Sequence, residues 1–212
     1  LGKRNRPIAA KENGAMEYDS LRGDKYFVYQ GRTKTGKPKF YASKKPTSKA
    51  GVRVESLPDE FELFENPSNC VVSIRRRKPS RILASERDLI DRMAVELSAY
   101  SCVRTIIDGD RIVVYTPDTD PVESAMMLEQ IFGPLSSTKI EGWTKRNARY
   151  TAELRFTLVD EENRYFTTDR FCYRGSIDDW IQIAERAPLE PMAEKLLQHF
   201  GRDSFYDLPF VN

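Results

Sequence analysis

Residues Gly31-Arg32-Thr33-Lys34-Thr35-Gly36-Lys37-Pro38 have the spacing of a phosphate-cradling loop, with four residues between two glycines and a lysine directly after the second. In nucleotide-hydrolysing enzymes such a loop ends in Ser or Thr, whose hydroxyl holds Mg²⁺. It also opens a helix whose N-terminal N–H groups hold phosphate. Here Pro38 replaces the hydroxyl, and Lys39-Phe40-Tyr41-Ala42-Ser43 reads as a strand. The stretch Phe156-Thr157-Leu158-Val159-Asp160-Glu161 has the apolar-then-acidic pattern of the magnesium-side strand of those enzymes, and equally that of any strand running into a polar turn. A hairpin loop rich in Gly and Lys explains residues 31–38 more simply, which leaves a nucleotide-dependent enzyme as the third of three functional readings.

The same segment supports binding chemistry. From Arg22 to Arg53 there are ten Lys or Arg against one acid, Asp24. The aromatics Tyr26, Phe27, Tyr29, Phe40 and Tyr41 are interleaved with them, and strand alternation sends rings to both sheet faces. One face must pack. The other can leave Tyr29 or Tyr41 beside Arg32, Lys34, Lys37, Lys39, Lys44 and Lys45, as in platforms that stack single-stranded bases. A two-stranded ribbon also fits a major groove. Arg75-Arg76-Arg77-Lys78 adds a second basic cluster, while residues 54–74 carry five acids and no base. Against this stands ordinary packing, with rings buried on both faces and Lys guarding strand edges against aggregation.

Other chemistries find little support. His199 is the one histidine, on a helix whose apolar stripe is Met192, Leu196 and Phe200, and no functional role is expected for it. Cys70, Cys102 and Cys172 lack zinc spacing and read as buried free thiols of a reducing cytoplasm. Asp108, Asp110, Asp118 and Asp120 read as turn and cap residues rather than cation ligands. Asp178 and Asp179 read as acids at a helix start, with Ser176 as its cap. No cofactor and no catalytic residue is expected. No run approaches the roughly 20 apolar residues of a membrane span. No apolar stretch follows the basic Leu1–Pro7 segment, so neither a membrane partner nor a signal peptide is expected.

These residues must be positioned by an α+β fold, with a small β-hairpin module followed by a larger α+β unit built on an antiparallel sheet. Residues 1–21 read as a flexible basic arm, 22–81 as the basic aromatic β-module and 82–212 as an acidic α+β domain. Residues 1–81 hold 19 Lys or Arg against 9 Asp or Glu, and residues 82–212 hold 15 against 23. In the module, 26–30 pairs with 39–43 around the Gly/Lys loop, Pro38 belongs at the start of the second strand or on an edge, and 61–64 pairs with 71–75. In the larger unit the order is αββ, αββ, then helices. Ser85 caps a helix with the apolar stripe Leu89, Ile90, Met93, Val95 and Leu97. Asp108-Gly109-Asp110 turns a hairpin. Asp120-Pro121 opens a helix to Phe132, residues 152–159 pair with 164–173, and helices are expected over 177–185 and 190–200. Four strands with helices on one face satisfy this order.

The blocks Tyr26-Phe27-Val28-Tyr29 through Lys39-Phe40-Tyr41, Leu57-Pro58 through Glu65-Asn66-Pro67, and Arg170-Phe171-Cys172-Tyr173-Arg174-Gly175-Ser176-Ile177-Asp178-Asp179-Trp180 resemble a group of uncharacterised bacterial proteins. The resemblance brings no catalytic residue and no ligand, and implies a soluble bacterial protein. The leading expectation is a non-enzymatic binding protein whose basic hairpins contact a polyanion, nucleic acid foremost. The alternative is a docking or assembly module in which the basic segment meets an acidic protein surface, including that of its own kind.

Overall fold

A computed structural model describes residues 11–12, 15–100, 102–119, 121–173 and 178–207. The fold is α+β with antiparallel sheets. The chain divides into two compact units, Leu1–Arg77 with Glu141–Ala148, and Lys78–Ile140 with Arg149–Asn212.

The first unit is built around β3 (Lys25–Arg32). Strand β4 (Pro38–Ser43) pairs with one edge of it. On the other edge β2 (Ala15–Asp19) and β5 (Gly51–Arg53) pair one after the other, and β1 (Lys11–Glu12) extends the sheet from β2. Pro38 stands first in β4, where its missing N–H costs least. Phe27, Val28 and Tyr29 are consecutive and all buried, so β3 is covered on both faces. A separate hairpin joins β6 (Phe61–Asn66) to β7 (Val71–Arg76). Its Glu65 is buried, and the carboxylate accepts from the Tyr18 hydroxyl at 2.7 Å and from the Leu21 N–H. Residues 15–19, expected within a flexible arm, are therefore a strand held by pairing and by a buried carboxylate. Residues 1–10 lie outside the described residues.

The second unit is a five-stranded meander in the order β12-β11-β10-β9-β8. Helix α1 (Ala84–Leu97) precedes β8 (Arg104–Asp108) and β9 (Arg111–Pro117). Helix α2 (Pro121–Phe132) follows, and α3 (Ser137–Asn147), whose residues from Glu141 onward belong to the first unit, precedes β10 (Tyr150–Asp160), β11 (Tyr165–Tyr173), β12 (Asp178–Pro188) and α4 (Leu189–Leu197) in the chain. Helices α1 and α4 bury Ile90, Met93, Ala94, Met192, Leu196 and Leu197 against Ile112, Val114, Leu154, Phe156, Leu158 and Phe166 of the sheet.

Four expectations for this unit are corrected. Residues 178–185 are strand, not helix. Ile181 and Ile183 are β-branched, and residues 178–188 hydrogen-bond along β11, making a fifth strand instead of a solvated helix start at Asp178 and Asp179. The expected cap Ser176 lies outside the described residues, as does Asp120. Helix α1 is capped two residues earlier than Ser85, at Leu83, where the Glu86 carboxylate accepts from the Leu83 N–H at 2.8 Å. Val95 is exposed, because Ala94 takes the buried position on the helix face. Among the thiols, Cys70 is buried while Cys102 and Cys172 are partly exposed, and none of the three forms a disulfide among the described residues. No helix among the described residues is long and apolar enough to cross a membrane.

Candidate functional site

The loop with phosphate-binding spacing is the tip of the β3–β4 hairpin. Gly31 is a strand residue paired with Lys39. Its role is close approach, since a Cβ there would stand 2.5 Å from the Ala50 carbonyl oxygen. Gly36 provides the positive φ, +81°, that the turn requires. The tip closes on itself. Gly36 N–H donates to the Thr33 carbonyl at 2.9 Å, Thr33 N–H donates to the Lys37 carbonyl at 2.9 Å, and Lys37 N–H reaches the Thr33 hydroxyl at 3.1 Å. With those N–H groups used, and with strand rather than helix following Pro38, the segment lacks the phosphate cradle of nucleotide-hydrolysing loops.

The tip leaves its cations outside. Arg32, Lys34, Lys37 and Lys39 are exposed, and among the described residues none has a carboxylate partner. Lys45 and Lys49 share both properties. Lys49 escapes a reading of the sequence because it lies beyond the hairpin. The loop after β4 carries it back, with neighbouring Ala50 pressed against Gly31. Lys44 differs. Its ammonium donates to Asp24 at 2.6 Å, a hydrogen bond that raises its pKa and neutralises it locally.

The second basic cluster separates into three fates. Arg75 is committed to the fold, with Nε on Glu62 at 2.7 Å and its guanidinium 3.5 Å from the centre of the Phe64 ring. Arg76 and Arg77 are exposed without carboxylate partners among the described residues. Lys78 belongs to the second unit and pairs with Asp108 at 2.5 Å. Its neighbours behave alike, since Ser80 donates to the Gly109 carbonyl at 2.6 Å and Arg81 pairs with Asp110.

Register links the tip to Arg76. Arg76 sits opposite Phe61 in the β6–β7 hairpin, 5.8 Å from that ring. Phe61 packs on Phe40 of β4 with ring centres 5.1 Å apart. Phe40 is paired with Gln30, and Arg32 lies two residues further along β3, on the same face. Arg32 and Arg76 thus flank one aromatic contact. Lys39 lies on the opposite face, with Tyr29 and Tyr41.

The expected stacking platform is absent at Tyr29. That residue is 1% exposed, its ring stacks on Tyr41 at 5.5 Å and 17°, and its hydroxyl donates to the Lys45 carbonyl at 2.8 Å. The loop of residues 44–50 covers it. Tyr41 is half-buried, and its hydroxyl is 2.7 Å from that of Ser48. Phe27 lies under the Arg53 guanidinium at 4.0 Å. Among the described residues of the first unit no aromatic side chain is exposed.

The second unit holds a cleft of about 720 Å³ that nothing in the sequence points to. Asp118, Glu123, Glu153, Tyr100 and Tyr173 line it, with Thr116, Thr151 and Gly201, and among the described residues no lysine or arginine does. The Tyr100 hydroxyl donates to Glu153 at 3.1 Å, and the Thr151 hydroxyl donates to Asp118 at 2.7 Å. Burial raises the Glu153 carboxyl above the usual range, against the opposing pull of the Tyr100 and Thr116 hydrogen bonds. Burial, then the Glu153 charge, likewise raises Tyr100. The described lining carries three carboxylates and is rich in hydrogen-bonding groups. Among the described residues no group of three acids, His or Cys converges as metal ligands would. Comparison with known protein families, curated proteins and solved structures returns no match for this chain.

Proposed function

We propose that the first unit is a polyanion-binding module, directed foremost at nucleic acid and performing no chemistry on it. The observation that supports this reading is the division among its cations. Lys44 and Arg75 are paired with carboxylates and serve the fold, while Arg32, Lys34, Lys37, Arg76 and Arg77 are exposed without them. Leaving like charges together at a hairpin tip and on a neighbouring strand end does nothing for folding, and it suits a ligand that brings many negative charges. The residues that would meet the polyanion are Arg32, Lys34, Lys37, Arg76 and Arg77, with Lys39, Lys45 and Lys49 as further exposed cations of the unit.

The test is a salt titration of binding to a labelled DNA fragment. Five phosphate contacts give a log–log slope near −4 to −5, so raising salt from about 50 to about 200 mM weakens binding on the order of several hundred-fold. A flat response, or no binding at the lower salt, removes this function.

A further inference from the structure

We infer that the module grips the phosphate rows of duplex nucleic acid and does not read or stack bases, an inference that rests on the polyanion-binding reading above. Proteins that hold single strands gain about 1–3 kcal/mol per base by stacking bases on aromatic rings. The rings that the sequence offers for that purpose are committed elsewhere. Tyr29 is buried beneath Tyr41, whose hydroxyl is held at Ser48, Phe40 is against Phe61, Phe27 is beneath the Arg53 guanidinium, and the Lys44 ammonium lies over Tyr26.

Base-edge recognition is equally unsupported. It relies on bidentate Arg, Asn or Gln held in a fixed pose. Arg32, Lys34 and Lys37 sit at or next to a turn, exposed, and among the described residues no hydrogen bond fixes their ends. Such cations read charge density. A duplex presents more of it than a single strand, and the salt slope per contact reflects this, about −0.9 against about −0.7. For five contacts the two binding curves, if they meet near 1 M salt, separate by about one decade at 0.1 M.

The experiment measures fluorescence anisotropy of the full chain with two unrelated 20-base-pair duplexes and with a 20-mer of oligo-thymidine, from about 50 to 300 mM salt. The expected result has three parts. The two duplexes bind within about twofold of each other, oligo-thymidine binds about tenfold more weakly at 0.1 M, and its slope is shallower by about one. The double variant Lys34→Gln, Lys37→Gln is expected to reduce the duplex slope by about two and the single-strand slope by less. Oligo-thymidine bound as tightly as duplex, or duplexes that differ tenfold, overturns the duplex inference and leaves the polyanion reading standing. No binding of any probe at the lowest salt, or slopes unchanged in the double variant, overturns the reading itself.

Discussion

Tyr100 donates its hydroxyl to the Glu153 carboxylate at 3.1 Å, across 53 positions of sequence, at the cleft of the second unit. The carboxyl faces the Tyr100 and Thr116 hydroxyls and feels the Asp118 charge. Tyr173 and Tyr206 in turn feel the charge of Glu153. Burial outweighs the hydrogen bonds and raises the carboxyl above its ordinary value of 4.5. A raised pKa means that the folded state holds this proton more tightly than the unfolded chain does. The stability it contributes is complete below about pH 4.5 and is lost as pH rises through the folded value. Glu153→Gln keeps an acceptor for Tyr100 and removes the charge. The variant is expected to melt above the native protein at pH 7, with the gap closing as pH falls towards 4.5. A gap independent of pH, measured by thermal denaturation across that range, contradicts this assignment.

Gly31 separates a strand role from a phosphate-loop role. Alanine there places a Cβ 2.5 Å from the Ala50 carbonyl oxygen and 3.3 Å from the Tyr41 ring. Backbone, not a flexible side-chain end, must shift, and the loop covering Tyr29 shifts with it. Gly31→Ala is expected to destabilise the protein by about 1–3 kcal/mol, in the range of overpacked interiors. Chemical denaturation gives the value, and a neutral result means that the 44–50 loop does not close over β3 as described.

What the sequence discloses here is local. Tyr26 to Gln30 and Lys39 to Ser43 alternate aromatics around a glycine turn, and Asp108-Gly109 separates two apolar runs, so both hairpins can be read directly. Residues 178–185 mislead, because Trp180, Ile181, Ile183 and Ala184 satisfy a helical and an extended pattern alike, and only pairing with β11 decides. Helix α3 shows no apolar stripe, and none of its residues is buried, so periodicity has nothing to report. At the basic site, residue type marks the cations but not their fates. Arg75 and Arg76 are adjacent and chemically identical. Strand register sets one against Glu62 and the other against Phe61. The cleft is illegible for the same reason, since its walls come from several elements distant in sequence.

That contrast predicts opposite phenotypes within one basic run. Arg75→Ala leaves Glu62 unpaired and Phe64 uncovered, and is expected to cost about 1 kcal/mol of stability, consistent with a half-buried, hydrogen-bonded ion pair. The salt slope of DNA binding stays as in the native protein. Lys34→Ala is expected to keep stability within about 0.5 kcal/mol and to reduce the slope by about 0.9. Denaturation and anisotropy on both variants check the pairing, and a reversal of the two phenotypes exchanges the roles.

Tyr29 supplies the sharpest distinction between a ring that packs and a ring that binds. Its hydroxyl donates to the Lys45 carbonyl at 2.8 Å from a position 1% exposed. Tyr29→Phe removes that hydrogen bond and strands the carbonyl in a partly buried setting, while the ring keeps its stacking on Tyr41. The expected loss is about 0.5–1.5 kcal/mol. Phenylalanine keeps an aromatic face, so the binding arm uses Tyr29→Leu, which removes it. Because the native ring offers no face to a ligand, affinity of the folded Tyr29→Leu variant for duplex and for single strand is expected to stay within about twofold of the native protein, against the factor of five or more that about 1 kcal/mol of lost base stacking produces. An affinity loss confined to single strands returns Tyr29 to the binding surface and requires the 44–50 loop to open. Unchanged affinity with a lowered melting temperature places the tyrosine in the framework that holds the cations of the tip.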